Sequence, residues 1–125
     1  MLPAAVNGIS CFALIDSGNT FGSVISSRFF NKLPGDLELV QVAGTATIQT
    51  AHASTSLQVL GRPRFPLHIT LGPDSSYPKV QFRPAVVRDL SMDVNLSFPF
   101  LQLHRIDILQ SKNCLSFRGL SLIHI

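Results

Sequence analysis

The chain has 125 residues, of which 46% are hydrophobic and 14% are charged, and ten Lys and Arg against seven Asp and Glu give a net charge of +3. This charged fraction lies well below the roughly 25% of an average soluble domain, and the composition excludes an intrinsically disordered chain. No apolar run approaches the ~18 residues of a membrane span, and the apolar stretch 9–15 lacks the basic start of a signal peptide. We therefore expect one domain covering residues 1–125 in a soluble intracellular protein.

Turn-forming residues and the lack of a long helical period predict a mainly β fold. Eight Gly and eight Pro are spread through the chain, with many Val, Ile, Thr and Phe between them, as is typical of short strands joined by turns. Residues 65–71 alternate apolar Phe65, Leu67, Ile69 and Leu71 with other residues, as in a strand with one buried face. The predicted strands are 2–6, 10–15, 39–42, 46–50, 56–60, 65–71, 80–87 and 114–117.

Two segments depart from the β pattern and are predicted as short helices. Residues 26–33 place Phe29, Phe30 and Leu33 at helical spacing. Residues 98–104 begin with Phe98 and Pro99, and proline is favoured at the first helical position.

Cysteine and histidine spacing argues against a disulfide framework and a metal site. Small secreted scaffolds usually have four or more cysteines, so we predict that Cys11 and Cys114 are buried free thiols. The four histidines show no ligand spacing with one another or with the cysteines, so we expect no metal and no cofactor. Arg62 and Arg64 share one strand face, which a solvated surface explains as well as a nucleic-acid site does.

The segment 13–20 contains the most chemically informative residues. Asp16 follows an apolar stretch and precedes Ser17 and Gly18, which predicts a carboxylate in a tight turn at the edge of the core. An isolated Asp-Ser-Gly is most often an Asx-type turn that closes a hairpin. Here, Asn7-Gly8 predicts a hairpin turn before the strand, and residues 24–26 predict another apolar strand after it.

From Asn7 to Leu33 the sequence resembles the retropepsin-like aspartic proteases, the single-domain enzymes of retroviruses and LTR retrotransposons. The shared pattern is a turn, an apolar strand, Asp-Ser-Gly, an apolar-Ile-Ser step and a short helix. Residues 50–54 resemble the flap of the retrotransposon branch, and residues 82–87 and 90–96 resemble the strand pair that leads to the family's second motif. The resemblance spans nearly the whole chain and implies a single-domain, closed, barrel-like β fold with one or two short helices.

The resemblance also implies an aspartic endopeptidase that works as a homodimer. Hydrolysis of this type needs two carboxylates that share a proton, and the chain has one Asp-Ser-Gly, so the second Asp16 would come from another copy about a two-fold axis. The expected catalytic residues are Asp16, Ser17 and Gly18, with the Ser17 hydroxyl bonding to backbone across the axis. The expected substrate-binding residues are Asn19, Thr20, Leu96 and the flap residues Ala51, His52, Ala53 and Ser54.

The expected substrate is a polyprotein, cut at extended segments with apolar residues around the scissile bond. Neither a nucleic acid nor a membrane is required, and the expected location is the cytoplasm or a virus-like particle. Two alternatives stay open: a pseudoprotease that serves as a dimerisation or peptide-binding module, and an unrelated basic all-β barrel that binds nucleic acid, for which the +3 charge is the only argument.

Several positions depart from the family pattern. Asn19 stands where alanine is usual, Ser97 stands where glycine is expected, and alanines flank His52 where glycines are common. An arginine-containing pair is replaced by Phe98-Pro99, and its acidic partner is replaced by Thr20.

The two ends of the chain bear on dimerisation. Residues 1–6 and 120–125 are largely apolar, and the resemblance implies that they interleave with those of a second copy and so cover exposed strand edges. The alternative is that residues 120–125 are a disordered tail or pack on their own subunit.

Overall fold

The computed structural model describes residues 1–41, 45–49, 54–74, 77–112, 114–118 and 121–124, with the backbone alone described at 45, 46, 48, 49, 110 and 121–124. The first half of the chain forms strands β1 (Leu2–Val6), β2 (Ile9–Asp16), β3 (Val24–Ser26), β4 (Leu39–Val40), β5 (Thr45–Gln49) and β6 (Ser54–Pro63). The second half forms β7 (Leu67–Leu71), β8 (Lys79–Phe82), β9 (Ala85–Val87), β10 (Val94–Ser97), β11 (Ile106–Leu109), β12 (Cys114–Phe117) and β13 (Ser121–His124). Helices α1 (Ser27–Phe30) and α2 (Phe98–Leu103) are short.

A tight hairpin starts the fold. Val6 pairs with Ile9 across a two-residue turn in which Asn7 and Gly8 have φ angles of 47° and 84°. Positive φ at both central residues is the geometry that Asn-Gly favours, and its twist matches that of the flanking strands. The turn is also tied to β7, because the Asn7 side-chain oxygen accepts a hydrogen bond of 2.9 Å from the His68 N–H.

Ten strands form one curled sheet, a half-barrel with β4 and β8 at its two ends. The order is β4-β6-β9-β3-β10-β2-β1-β7-β8, and β5 pairs with β6. At the centre, β10 runs parallel to β2 and antiparallel to β3. The buried side chains of β1, β2, β3, β7, β10 and both helices contribute to one hydrophobic cluster, which includes Leu2, Ile25, Ile69, Leu96 and Phe100.

The N-terminal strand is an inner strand of this sheet. β1 pairs with β2 on one side and with β7 on the other, so both of its edges are occupied within the subunit. The expectation that residues 1–6 interleave with a second copy was therefore wrong. The sequence could not reveal this pairing, because β7 lies about sixty residues further along the chain.

The C-terminal strand belongs to a second, three-stranded sheet with the order β11-β12-β13. β13 pairs antiparallel with β12 of its own chain, with Leu115 opposite Ile123. Of the two readings of residues 120–125, packing on the same subunit is the one that β13 adopts.

The predicted elements agree with the structure in class and differ at some boundaries. The predicted strand 80–87 is two strands, β8 and β9, because Pro84 has no N–H to donate to a ladder. Phe65 and Pro66 precede β7 rather than belonging to it, and Phe65 is 72% exposed. β11 was not among the predicted strands; the exposed Asp107 lies within it.

Both cysteines are buried free thiols, as predicted. Among the helices that the structure describes, none is long and apolar enough to cross a membrane.

Candidate active site

Two parallel strands end side by side and bring the candidate site together. In the β2–β10 pairing, Leu96 lies opposite Ile15 and Ser97 lies opposite Asp16. Both strands end at this point, so the Asp-Ser-Gly turn leaves β2 next to the residue at which β10 becomes α2. The sheet thereby places Asp16 half-buried at its edge, with Ser17 and Gly18 exposed.

The Asp-Ser-Gly segment forms the tight turn that its composition predicts. The Gly18 N–H donates to Asp16 Oδ1 over 3.1 Å, and the Asn19 N–H donates to the Asp16 carbonyl over 3.1 Å. This is an Asx-type turn. The same bonds orient one oxygen of the carboxylate, so the structural and the chemical interpretation of Asp16 are compatible.

Asn95 holds the second oxygen of the carboxylate. Its Nδ2 donates to Asp16 Oδ2 over 3.1 Å, and its side chain is 1% exposed. The sequence analysis missed this residue. The available signal was a polar residue between Val94 and Leu96, in a strand whose other side chains are all buried.

Asn19 lies beneath the turn, inside the protein. It is fully buried, and its Oδ1 accepts from the N–H groups of Phe21 at 3.0 Å and Gly22 at 3.3 Å. Its Nδ2 donates to the Gly22 carbonyl at 2.8 Å and to Asn95 Oδ1 at 3.0 Å. This placement does not fit the expected contact with substrate, because every polar group of the side chain is used inside the protein.

Ser97 explains why this chain does not need the glycine that the family pattern has there. Its backbone is extended, with φ −81° and ψ 166°, so any L-residue can adopt it. The hydroxyl caps α2 by accepting from the Phe100 N–H at 3.3 Å, and it also lies 3.3 Å from the Ser23 hydroxyl. The Ser97 N–H donates to Ser23 Oγ at 3.1 Å.

The remaining predicted residues fall into three groups. Leu96 is fully buried in the core, which does not fit the expected substrate contact. Thr20 and Ser54 are exposed. Ala51, His52 and Ala53 lie outside the described residues.

Ser17 opens onto a depression of about 650 Å³ next to α2 and β11. Within the described part of the chain its hydroxyl makes no hydrogen bond, and it is exposed. Phe98, Leu101 and Ile108 contribute the apolar part of the depression, and Arg105 and Asp107 contribute charged side chains. The hydroxyl is therefore free to bond to a group outside its own subunit.

A single chain supplies a single carboxylate to this site. The described residues contain no group of three or more His, Cys, Asp or Glu side chains that could hold a metal ion. The one ion pair found among them, Arg64 with Glu38, joins exposed side chains just after β6 and just before β4. Asp16 is thus bound by neutral donors, the Gly18 N–H and the Asn95 amide.

No family model matches the sequence, and no curated protein matches it. Among solved structures, the chain is similar to the crystal structure of the retroviral protease-like domain of Ddi1 from Leishmania major. The TM-score is 0.71 at 21% sequence identity, over 99% of this chain and 90% of that chain. The chain therefore has a retropepsin-like, mainly β fold with two short helices, as the resemblance predicted.

Proposed function

We propose that the chain is an aspartic endopeptidase that acts as a homodimer, with Asp16 of each copy forming the catalytic dyad. The observation that carries this proposal is the Asp16 carboxylate at the paired ends of β2 and β10, held through both oxygens and half-exposed. The retropepsin-like fold supports it, because the Asp-Ser-Gly turn occupies the edge of the sheet next to a helix, as the family pattern requires.

The chemistry follows from two carboxylates close together. Two like charges at short distance cannot both ionise, so the pair shares one proton. The ionised Asp16 takes a proton from a water molecule as the water oxygen bonds to the scissile carbonyl carbon, and the protonated Asp16 donates its proton to the carbonyl oxygen. The C–N bond then breaks as the first Asp16 gives its proton to the leaving nitrogen and the second takes one back from a hydroxyl of the tetrahedral intermediate, which restores the dyad. Because a doubly ionised pair has no acid left, activity is expected on the acidic side of neutrality.

Ser17 and Gly18 are proposed to support the dyad from the turn. The exposed Ser17 hydroxyl is free to bond to backbone of the second copy across the two-fold axis. Gly18 is also exposed and has no side chain that would obstruct the approach of the second copy.

The proposed substrate is an extended polypeptide with apolar residues around the scissile bond, and a polyprotein of a retroelement is the proposed source. An extended peptide in a cleft between the sheet edge and a flap pairs through its main chain as an added strand. No nucleic acid or membrane takes part in this reaction, which is proposed to occur in the cytoplasm or inside a virus-like particle.

The first test is Asp16→Asn in a cleavage assay. The purified chain is incubated with a random peptide library between pH 4 and 8, and mass spectrometry identifies the cut sites. We expect Asp16→Asn to abolish cleavage while circular dichroism and the oligomeric state stay unchanged, because the amide keeps the shape and cannot act as a base. Asp89→Asn is the matched control, since Asp89 is exposed outside the site and its positive φ of 61° suits asparagine.

Mixing the two proteins tests the shared dyad. If each site needs Asp16 from two copies, exchange of wild type with an equal amount of Asp16→Asn should leave about one quarter of the pairs active. If each chain had a site of its own, the mixture would keep about one half of the activity of wild type at the same total protein concentration. Cleavage at the wild-type rate by Asp16→Asn itself would refute the dyad.

A second candidate is a peptide-binding or dimerisation module with the same fold and no turnover. Each chain supplies one Asp16 carboxylate, and the mechanism needs two. This second candidate is therefore favoured if the copies do not associate. Wild-type protein that binds extended apolar peptides at all pH values and cuts none of them would establish this candidate in place of the first.

A further inference from the structure

We propose that Asn95 is a positioning residue that fixes the Asp16 carboxylate as a hydrogen-bond acceptor on its protein side, so that the proton of the dyad faces the cleft. This inference rests on the proposed function, because it concerns where the proton that the dyad shares can lie. It follows from the direction of a buried chain of hydrogen bonds that begins at backbone amides and ends at Asp16.

The backbone fixes the orientation of Asn19. The N–H groups of Phe21 and Gly22 can only donate, so the atom they contact is the side-chain oxygen of Asn19. The Gly22 carbonyl can only accept, so the atom it contacts is the side-chain nitrogen. The two amide ends of Asn19 are thus distinguished by groups whose roles cannot change.

The orientation of Asn19 in turn determines the orientation of the Asn95 side-chain amide. The nitrogen of Asn19 lies 3.0 Å from Asn95, so the Asn95 atom that it meets must be an acceptor, the side-chain oxygen. The nitrogen of Asn95 therefore points the other way, toward Asp16 Oδ2 at 3.1 Å. Rotating Asn95 by half a turn would place two donors against each other at Asn19, and the carboxylate would lose its donor.

The carboxylate receives donors on both oxygens. Gly18 donates to Oδ1 and Asn95 donates to Oδ2. A proton on Asp16 cannot point at either donor, so it must use a lone pair on the open side. Asp16 is half-exposed there, and in the proposed dimer this side faces the second Asp16 and the water.

Packing alone does not require these two asparagines. Val94 and Leu96, on either side of Asn95, are fully buried, and an apolar side chain at 95 would occupy the same place without needing partners. A buried polar group without partners is destabilising, so a pair of buried amides is tolerated only when each is satisfied. The contacts above satisfy them through Asp16 and the turn.

Few titratable groups lie on the elements around Asp16, so few charges besides Asn95's hydrogen bond act on its carboxylate. β3, α2 and the turn 17–23 contain no charged residue, and β2 contains only Cys11 besides Asp16. Asp93 precedes β10 at its other end and accepts from the Phe12 N–H at 3.2 Å. Arg105 and Asp107 line the depression beside Ser17.

Asn95→Leu tests the inference with a readout that does not need proteolysis. Carbon-13 NMR of the labelled aspartate carboxyls observes Asp16 in the wild type and the variant. At any one pH the Asp16 carboxyl resonance should shift in Asn95→Leu, because the carboxylate loses one of its two hydrogen-bond donors. In the cleavage assay the acidic limb of the pH profile should move to higher pH, and kcat should fall about tenfold with little change in KM.

Ser23→Ala is the matched control. Ser23 is a buried polar residue whose hydroxyl bonds to Ser97, which lies on β10 like Asn95, and the described hydrogen bonds of the Ser23 side chain do not include Asp16. The control should melt at a lower temperature while the Asp16 carboxyl resonance stays at its wild-type position. If Asn95→Leu does not fold, Asn95→Thr keeps a strand-compatible side chain that is too short to donate over the same distance.

The outcomes separate the two proposals. An Asp16 carboxyl resonance and a pH profile that are unchanged in a folded Asn95 variant would overturn the positioning role. A shifted Asp16 resonance in a protein that cuts no peptide would support the positioning of Asp16 and refute the endopeptidase.

Discussion

At the scale of single residues, Cys11 shows how burial changes the chemistry of one group. The thiol lies in β2 and is 6% exposed. Burial raises the pKa of Cys11 from 9.0 to about 12, and the negative charge of Asp93 adds to the rise. The thiolate is the nucleophile in alkylation, so a thiol that stays protonated is a poor one.

We predict that the folded protein loses stability as pH rises from about 9 toward 12, in part through Cys11. In this window the unfolded chain releases the thiol proton and the folded chain retains it, so rising pH favours unfolding. Urea titrations at several pH values should show a smaller loss of stability for Cys11→Ala than for the wild type. Equal pH slopes for the two proteins would contradict the predicted contribution.

The roles of two asparagines, Asn19 and Asn95, could not be predicted from the sequence. Asp16 could be identified because its chemistry and its neighbours in the chain coincide. Asn19 was assigned to substrate from its place beside the triplet, but its side chain turns inward to satisfy the amides of Phe21 and Gly22. Asn95 was not identified, because its partner Asp16 lies 79 residues away and only the pairing of β2 with β10 brings them together.

At the scale of elements, the junction of β10 and α2 depends on Ser97. We expect Ser97→Ala to lower the free energy of unfolding by about 1–2 kcal/mol, because it removes the cap of α2 and one of the two partners of the Ser23 hydroxyl, the other being the Ser97 N–H. Urea denaturation measures the change.

The control for Ser97→Ala is Ser27→Ala. Ser27 begins α1, is half-buried, and has no side-chain hydrogen bond within the described residues. Its replacement should change stability by less than about 0.5 kcal/mol. Equal losses for the two variants would show that the cap of α2 contributes nothing specific.

Elements were predictable where the local pattern decides the structure. β1 and β12 have the predicted bounds. β1 is an apolar run that ends at Asn7-Gly8, and β12 lies between Asn113 and Gly119, residues that favour turns. The predicted strand 80–87 failed at Pro84, where the missing N–H outweighs the apolar pattern. The curled sheet itself joins strands far apart in the chain, such as β1 with β7, and no local pattern specifies such a pairing.

At the scale of the whole molecule, the fold must remain stable at acid pH, because the proposed activity is expected there. Burial lowers the pKa of His104, a hydrogen bond with the backbone of Gln81 opposes this, and the charge of Arg118 adds to the lowering. The buried His104 Nε2 has no hydrogen-bond partner among the described residues. Protonation of Nε2 therefore places a proton on an atom for which the described residues offer no acceptor.

We predict that His104 sets part of the acid limit of the fold. The unfolded histidine takes up a proton near pH 6.5 and the folded one only at lower pH, so this contribution to stability is present above 6.5 and is lost as pH falls. His104→Gln should flatten the fall of the melting temperature between pH 6.5 and acid. His68→Gln replaces an exposed histidine as the matched control, and an unchanged slope in His104→Gln would contradict the assignment.

The assembly of two copies is the largest scale at which the fold makes a prediction. In the proposed dimer, Asp16 pairs across the two-fold axis, so Ser17 must lie near that axis. β11 shares a depression with Ser17 and is the outer strand of the small sheet that β12 and β13 complete. The β11-β12-β13 sheet therefore flanks the proposed axis, although β13 pairs within its own chain.

Deletion of residues 120–125 is expected to weaken dimerisation, because it removes β13 from the β11-β12-β13 sheet that flanks the proposed axis. Activity should fall with it, most steeply at low protein concentration, since each site of the proposed dimer needs two copies of Asp16. Analytical ultracentrifugation beside the cleavage assay, over a range of concentrations, measures both effects. Phe65→Ser is the control: it removes an apolar side chain that is 72% exposed and precedes β7, and it should leave the dimer intact. A truncated chain that stays fully dimeric and fully active would place the interface elsewhere on the molecule.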